Sequence, residues 1–215
     1  MRYKVGNKQI EINEEDFIGE GNESIVYKYY DIVLKIYKKF VRKDRLTEEE
    51  VNYLRYLVTK RILLPKDSIY DEDDIFSGYS LLYEESYSKD NIKKMKVRDL
   101  KKELELIRED IELLSSRNIS LEDFTYDNLI YNGSLYITDP GSFKLLGGFN
   151  TKIYKENIRI FNYFFVKDVL SRILKLTKKE QSNLELLVDS SGYVGDILSD
   201  EDKTVSSYIR NVARK

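Results

Sequence analysis

The stretch Leu121-Glu122-Asp123-Phe124-Thr125-Tyr126-Asp127-Asn128-Leu129-Ile130-Tyr131-Asn132-Gly133-Ser134-Leu135-Tyr136-Ile137-Thr138-Asp139-Pro140-Gly141 has a hairpin at its centre and oxygen-bearing side chains on both sides of it. Asn-Gly between two apolar runs is the strongest short-range hairpin signal. With Asn132-Gly133 as a two-residue turn, Tyr131 opposes Ser134 and Asn128 opposes Ile137. Asp139 then lies two residues beyond Ile137, on the same face. Asn128 and Asp139 become diagonal neighbours at the open end, about 7–8 Å apart at the backbone. Two hard oxygen side chains converging there suit Mg²⁺, which takes few protein ligands and fills its shell with phosphate oxygens and water. Asp123, five residues before Asn128, stands where a carboxylate can orient a hydroxyl or accept its proton. Strand-end turn chemistry would also account for Asn128 and Asp139, and a loop or capping role for Asp123.

Upstream, the period is that of strands. Tyr3–Val5 and Gln9–Ile12 flank Gly6-Asn7 as one hairpin. Phe17–Gly19 and Ser24–Tyr29 flank the turn Gly19-Glu20-Gly21-Asn22-Glu23, and Ile32–Tyr37 follows. A strand rather than a helix after these glycines argues against a dinucleotide fold. A glycine hairpin between strands can lie over phosphates, because glycine lets the backbone come close. In Ile32-Val33-Leu34-Lys35-Ile36-Tyr37, alternation sends Ile32, Leu34 and Ile36 to one face and Val33, Lys35 and Tyr37 to the other. Lys35 is either a snorkelling surface lysine or a cation for phosphate oxygens.

Helical periods then take over. Thr47 and Glu50 form a capping box and Leu46 with Val51 a hydrophobic staple, predicting a helix that runs through Leu54, Leu57 and Val58. Glu50 is the best acidic partner for Lys35 on that helix, with Glu48 and Glu49 behind it, although the capping box alone would explain it. Gly78–Tyr83 reads as a further strand, and the polar run 84–94 as a boundary between lobes. Val97, Leu100, Leu104, Ile107, Ile111 and Leu114 recur every three or four residues, as on one face of a core helix. A mostly apolar helix is predicted over about Glu156–Leu176, another from the Thr177/Glu180 capping box, and a short one near Val205–Val212. The loop between Gly141 and these helices carries Gly147-Gly148.

The chain of 215 residues has no histidine, cysteine or tryptophan. Disulfides, thiolate nucleophiles, histidine or cysteine metal sites and the Ser-His-Asp triad are thereby excluded. Hydrophobic residues make up 41% and charged residues 34%, with a net charge of −2, which is a globular composition giving no global case for nucleic-acid binding. The first residues lack a signal-peptide core and no run reaches the about 18 apolar residues of a membrane span, which points to a cytoplasmic protein.

These pieces, in this order, resemble the protein-kinase-like superfamily over about residues 14–141. Gly19-x-Gly21-x-x-Ser24-x-Val26 is similar to its glycine loop and Val33-Leu34-Lys35 to its strand lysine motif. Glu50-Val51-Asn52-Tyr53-Leu54 is similar to the helix carrying the paired glutamate, and Leu81-Leu82-Tyr83-Glu84 to the adenine-binding hinge. Leu121-Glu122-Asp123 with Asn128 resembles the catalytic loop, and Asp139-Pro140-Gly141 the metal-binding Asp-Phe-Gly motif. The resemblance implies an α+β fold of two lobes: residues 1–83 as an N-terminal antiparallel sheet with one helix that binds nucleotide, and residues 84–215 as a small, mostly helical C-terminal lobe with the catalytic loop.

It also implies roles. Gly19, Gly21, Ser24 and Val26 would cover ATP. Lys35, braced by Glu50, would hold its α- and β-phosphates, and the backbone near Leu82 and Tyr83 its adenine. Asn128 and Asp139 would bind Mg²⁺, and Asp123 would orient the acceptor hydroxyl of an unidentified protein or small molecule. The departures are specific. The third glycine is Ser24, the catalytic-loop histidine and arginine positions hold Leu121 and Glu122, Thr125 replaces a lysine, Pro140 replaces the phenylalanine, and no Ala-Pro-Glu follows. The implied activity is an ATP-dependent phosphotransferase, closest to a protein Ser/Thr kinase-like enzyme. The alternatives are a pseudokinase that binds ATP as an interaction module and a small-molecule kinase.

Overall fold

Ile32–Tyr37 (β5) is an inner strand of a seven-stranded antiparallel sheet. A computed structural model gives the structure and describes residues 1–39, 45–122, 124–139, 143–147 and 152–214. Besides β5, the sheet contains β1 (Arg2–Val5), β2 (Lys8–Glu11), β3 (Phe17–Glu20), β4 (Ser24–Tyr29), β6 (Ser68–Tyr70) and β7 (Phe76–Leu82), in the order β2-β1-β6-β7-β5-β4-β3. The chain is α+β and divides into two compact units. The first comprises Met1–Thr59, Leu63–Glu84 and Asp139–Ser142, and the second Lys60–Ile62, Glu85–Thr138 and Phe143–Lys215.

In the first unit, the register sorts side chains by chemistry. Tyr27, Leu34 and Ser80 stand opposite one another across β4, β5 and β7, and Val26, Lys35 and Tyr79 form the next row, on the other face. The first face is the core: Leu34 and Ile36 are buried with Tyr27, Ile69 and the hairpin residues Val5, Ile10 and Ile12. Each such aliphatic side chain contributes about 1.5–3 kcal/mol by leaving water. The second face lies toward α1 (Glu48–Leu54), whose Val51 and Leu54 are fully buried. The Thr47/Glu50 capping box is formed.

The helix that was predicted to run through Val58 ends at Leu54, and Val58 is 86% exposed. After Leu54 no apolar residue continues the buried stripe, and the chain passes into Lys60–Ile62, which belongs to the second unit. Strand β6 was not foreseen; three residues are too few for alternation to register. Gly78 is required by sterics. Its φ is +148°, and a Cβ there would lie 2.0 Å from the Lys35 carbonyl oxygen.

In the second unit, α2 (Val97–Ser116) buries the six apolar positions its period predicts, together with Glu103 and Asp110. Asp110 accepts the backbone N–H groups of Lys60 (2.8 Å), Arg61 (2.6 Å) and Ile62 (2.9 Å). Glu103 accepts both arms of the Arg61 guanidinium (2.6 and 3.1 Å) and the Leu135 N–H (3.0 Å). Strand β8 (Ile119–Ser120) follows α2, and β9 (Leu129–Tyr131) and β10 (Leu135–Ile137) form the predicted hairpin. Beyond β11 (Lys144–Leu145), α3 (Ile153–Tyr163) runs into a π-helical stretch, Phe164–Leu170, and then α4 (Ser171–Leu174), ended by Lys175 at φ +50°. Helix α5 (Lys178–Ser191) starts at the Thr177/Glu180 box, and α6 (Val205–Ala213) closes the unit. No helix among the described residues is long and apolar enough to cross a membrane.

Two substitutions test this framework by urea unfolding. Gly78→Ala is expected to cost about 3 kcal/mol or more, because backbone must move. Asp110→Ala is expected to cost about 3 kcal/mol, since several N–H groups lose their acceptor at once.

Candidate functional site

Each unit carries part of the sequence-predicted site. In the first, Lys35 points from β5 on the face shared with Val26 and Tyr79, and its side chain is only 11% exposed. A nearly buried ammonium needs a partner, and its partner is Asp139, whose carboxylate pairs with the Lys35 amine across 104 residues of sequence. Asp139 holds that position with a left-handed backbone, φ +71°. Aspartate is among the few non-glycine residues that tolerate this region, and such outliers gather at functional sites. The Tyr79 ring lies 5.8 Å from the Lys35 ammonium. Burial drives the Tyr37 phenol well above its usual range, opposed by the Arg45 guanidinium over its ring and by its bond to the Leu46 carbonyl (3.0 Å), so it stays a neutral donor.

Glu50 was predicted to brace Lys35. Its carboxylate instead accepts the Thr47 N–H (2.7 Å) and hydroxyl (3.1 Å), as the capping box alone requires. Glu48 accepts the Tyr70 hydroxyl. At the segment expected to be a hinge, the Tyr83 N–H donates to the Asp31 carbonyl (2.9 Å), so that donor is not free for a base, and the Lys28 ammonium sits 3.9 Å over the Tyr83 ring. Leu82, paired with Ile32, is 40% exposed. Gly19 lies in β3, and Gly21 opens the tight turn to β4, in which its N–H reaches the Ser24 carbonyl (2.9 Å). A Cβ at either glycine would meet nothing within 4 Å. The sheet itself therefore does not demand glycine there.

In the second unit, the loop entering the hairpin is fixed from several sides. The buried Asn157 of α3 accepts the Leu121 N–H (2.8 Å) and donates to the Ser115 hydroxyl (2.8 Å) and the Ile119 carbonyl (2.9 Å). Phe124 packs against Phe143, Phe161 and Phe164. Glu122 pairs with Lys144. Asp123 lies outside the described residues, as do Pro140, Gly141 and Gly148.

The hairpin register corrects the one predicted. Leu135 opposes Tyr131 and Ile137 opposes Leu129, so Asn132-Gly133-Ser134 is a three-residue connection. The cause is local: the Asn132 side-chain oxygen accepts the Ser134 N–H (3.2 Å) and draws Ser134 into the turn. Asn128 therefore stands opposite Thr138, whose N–H it accepts at 2.8 Å, and not opposite Ile137. The diagonal same-face relation of Asn128 and Asp139 is lost with that shift. The Asn128 side-chain oxygen accepts the Thr125 N–H (2.6 Å) and hydroxyl (2.8 Å). Both Asn128 and Asp139 offer the hard oxygen chemistry that suits Mg²⁺.

Two residues that sequence reasoning missed hold the same loop. The Lys89 ammonium donates to the Tyr126 carbonyl (2.6 Å) and lies 4.3 Å over the Tyr126 ring. The Arg172 guanidinium lies 5.1 Å from that ring. Burial lowers the Lys89 pKa, and Arg172 lowers it further against the opposing pull of Asp127. Lys89 was hidden in the charged run read as a boundary, where one lysine among many gives no signal.

No protein-family model matches the chain, and no curated protein matches it.

The Lys35–Asp139 pair makes an asymmetric prediction. Asp139→Ala leaves a nearly buried ammonium unpaired and is expected to cost about 1–3 kcal/mol in urea unfolding, whereas Lys35→Met, which leaves a carboxylate that water can reach, costs less than about 1 kcal/mol.

Proposed function

We propose that the protein is an ATP- and Mg²⁺-dependent phosphotransferase of protein-kinase-like fold that moves the γ-phosphate to a hydroxyl acceptor. The pairing of Lys35 with Asp139 carries this reading. The two residues were singled out from separate motifs, one for phosphate and one for the phosphate-bound cation, and they meet in one unit. The strand order β3-β4-β5-β7-β6, with α1 inserted between β5 and β6, supports it as the arrangement that puts Lys35 on a central strand beside the glycine turn.

In this reading Lys35 exchanges Asp139 for the α- and β-phosphate oxygens of ATP. Gly19 and Gly21 let the β3–β4 turn approach the phosphates, with Ser24 and Val26 beside them. Asn128 and Asp139 would hold Mg²⁺, which when bound neutralises phosphate charge. Asp123 orients the acceptor hydroxyl and takes its proton. Catalysis is then mostly positioning and charge compensation. One observation favours a second reading, a pseudokinase that binds ATP without transfer: the Glu50 carboxylate is committed to Thr47.

Thermal melting with and without Mg-ATP, followed by ADP release, separates these. The phosphotransferase shows ATP-dependent stabilisation and turnover, and Asp123→Asn keeps the stabilisation while losing about 100-fold or more in turnover. Gly21→Ala melts like the wild type without nucleotide and is stabilised less by Mg-ATP. Stabilisation without turnover in the wild type selects the pseudokinase, and no stabilisation overturns both.

A further inference from the structure

The β3–β4 turn of the first unit is held by a residue that belongs to none of the motifs above. Arg45 lies between β5 and the Thr47 box that starts α1. Its Nη2 donates to two backbone carbonyls, that of Glu23 in the turn (3.2 Å) and that of Lys38 just past β5. The Lys38 N–H donates to the same Glu23 carbonyl (2.9 Å), and the Lys38 ammonium pairs with the Glu20 carboxylate (3.3 Å). We propose that Arg45 is a positioning residue for nucleotide binding, a clamp that fixes the glycine turn before the phosphates arrive; the inference rests on the phosphotransferase reading.

The clamp has a fixed root. Leu46, the next residue, is buried, and its carbonyl accepts the Tyr37 hydroxyl (3.0 Å). The Arg45 guanidinium lies 4.7 Å over the Tyr37 ring. Its Nε is closed off from water and has no hydrogen-bond partner among the described residues. A buried donor without an acceptor is unfavourable, so a side chain selected for stability alone would not keep it. Here that cost accompanies a placement that brings the far end of the guanidinium onto both carbonyls. Arginine suits the task, because its planar head is always charged and loses little freedom per bond it makes.

The turn has physical reasons to need such a clamp. Nothing lies within 4 Å of a Cβ built at Gly19 or Gly21, so packing does not restrain them, and glycine widens the range of backbone conformations open to the chain. A loose turn must be ordered by its ligand, and that ordering is subtracted from affinity. A turn already ordered by Arg45 spares the ligand this cost. Electrostatics acts in the same direction. A carbonyl oxygen is the negative end of its peptide, and a bare one beside a phosphate repels it. The Glu23 oxygen is engaged by a guanidinium and by the Lys38 N–H, which offsets that repulsion. Arg45 therefore acts on the phosphates through the turn and not by touching them.

The test uses the full chain with two variants. Arg45→Lys keeps the charge but ends short of the carbonyls, and Arg45→Met keeps only an apolar stem over Tyr37. Ile69→Val, in the core of the sheet, is the control for lost stability alone. In both Arg45 variants the Gly21 and Lys38 amides, which are bonded within and beside the turn, are expected to exchange with deuterium about 10-fold faster, with the Leu34 amide unchanged. Mg-ATP binding, measured by calorimetry, is expected to weaken about 10-fold, the worth of one hydrogen bond to a charged group. Adenosine, which has no phosphate, is followed by ligand-observed NMR and is expected to change less than about 2-fold. Ile69→Val lowers the melting temperature and leaves the ratio of the two affinities as it was. Unchanged exchange at Gly21 and Lys38 would overturn the clamp. Faster exchange with Mg-ATP affinity intact, or adenosine weakened as much as Mg-ATP, overturns the positioning role. A wild type that does not bind Mg-ATP overturns the phosphotransferase reading and the positioning role with it, while the exchange rates still decide whether Arg45 holds the turn.

Discussion

Two carboxylates buried on one face of α2 organise the second unit. Glu103 and Asp110 are seven residues apart, two helical turns, and so share the face that packs inward. A carboxylate in such a place raises the free energy of the fold unless its lone pairs are filled. Here they are filled by chain from elsewhere: the N–H groups of Lys60, Arg61 and Ile62 on Asp110, and the Arg61 guanidinium and Leu135 N–H on Glu103. The Ile137 N–H then bonds the Arg61 carbonyl (2.8 Å). Segment 60–62, the β9–β10 hairpin and α2 thus form one hydrogen-bonded assembly, and Asn128 takes its place from it. Burial pushes the Asp110 pKa up, and the three backbone donors offset part of that rise.

Lys35 plays the equivalent part in the first unit with a different outcome. Its amine sits on the face of β5 away from the apolar core and is closed off from most water. It therefore needs an anionic partner. Glu50 is held by its own helix terminus through two bonds, and the lysine pairs with Asp139. A phosphate offers the same amine a more highly charged acceptor. On the proposed function, nucleotide binding is then an exchange of one ion pair for another, which preserves the compensation of the buried charge at every stage.

Features set by local periodicity were legible in the sequence, and those set by hydrogen bonds between distant residues were not. Alternation in Ile32–Tyr37 placed Leu34 and Ile36 in the core and Lys35 opposite, and the three- and four-residue spacing gave α2 and its six buried apolar positions. The boxes at Thr47 and Thr177 marked helix starts because their partners lie three residues away. The hairpin existed as read, yet its register moved by one residue, because one bond from the Asn132 side chain to Ser134 outweighs the preference of Asn-Gly for a two-residue turn. Glu103 and Asp110 read as ordinary charges on an amphipathic helix. Nothing local distinguishes a surface carboxylate from one that another segment will cover. Lys89 and Arg172 were invisible for the same reason, since their partner Tyr126 is 37 and 46 residues away in the chain.

The glycines show how structure divides what sequence cannot. Gly19, Gly21 and Gly78 look alike as letters in strand-rich sequence. At Gly78 the backbone itself excludes a side chain, with the Lys35 carbonyl where a Cβ would be and a φ that L residues rarely adopt. Its glycine is explained by the sheet, and specifically by the strand that carries Lys35. At Gly19 and Gly21 there is open space, and glycine there incurs its entropic cost with no return in packing. A residue that the chain's own contacts do not call for is most simply explained by something the chain does not contain. On the proposed function, a phosphate-bearing ligand that must approach the backbone closely would supply that requirement at this turn.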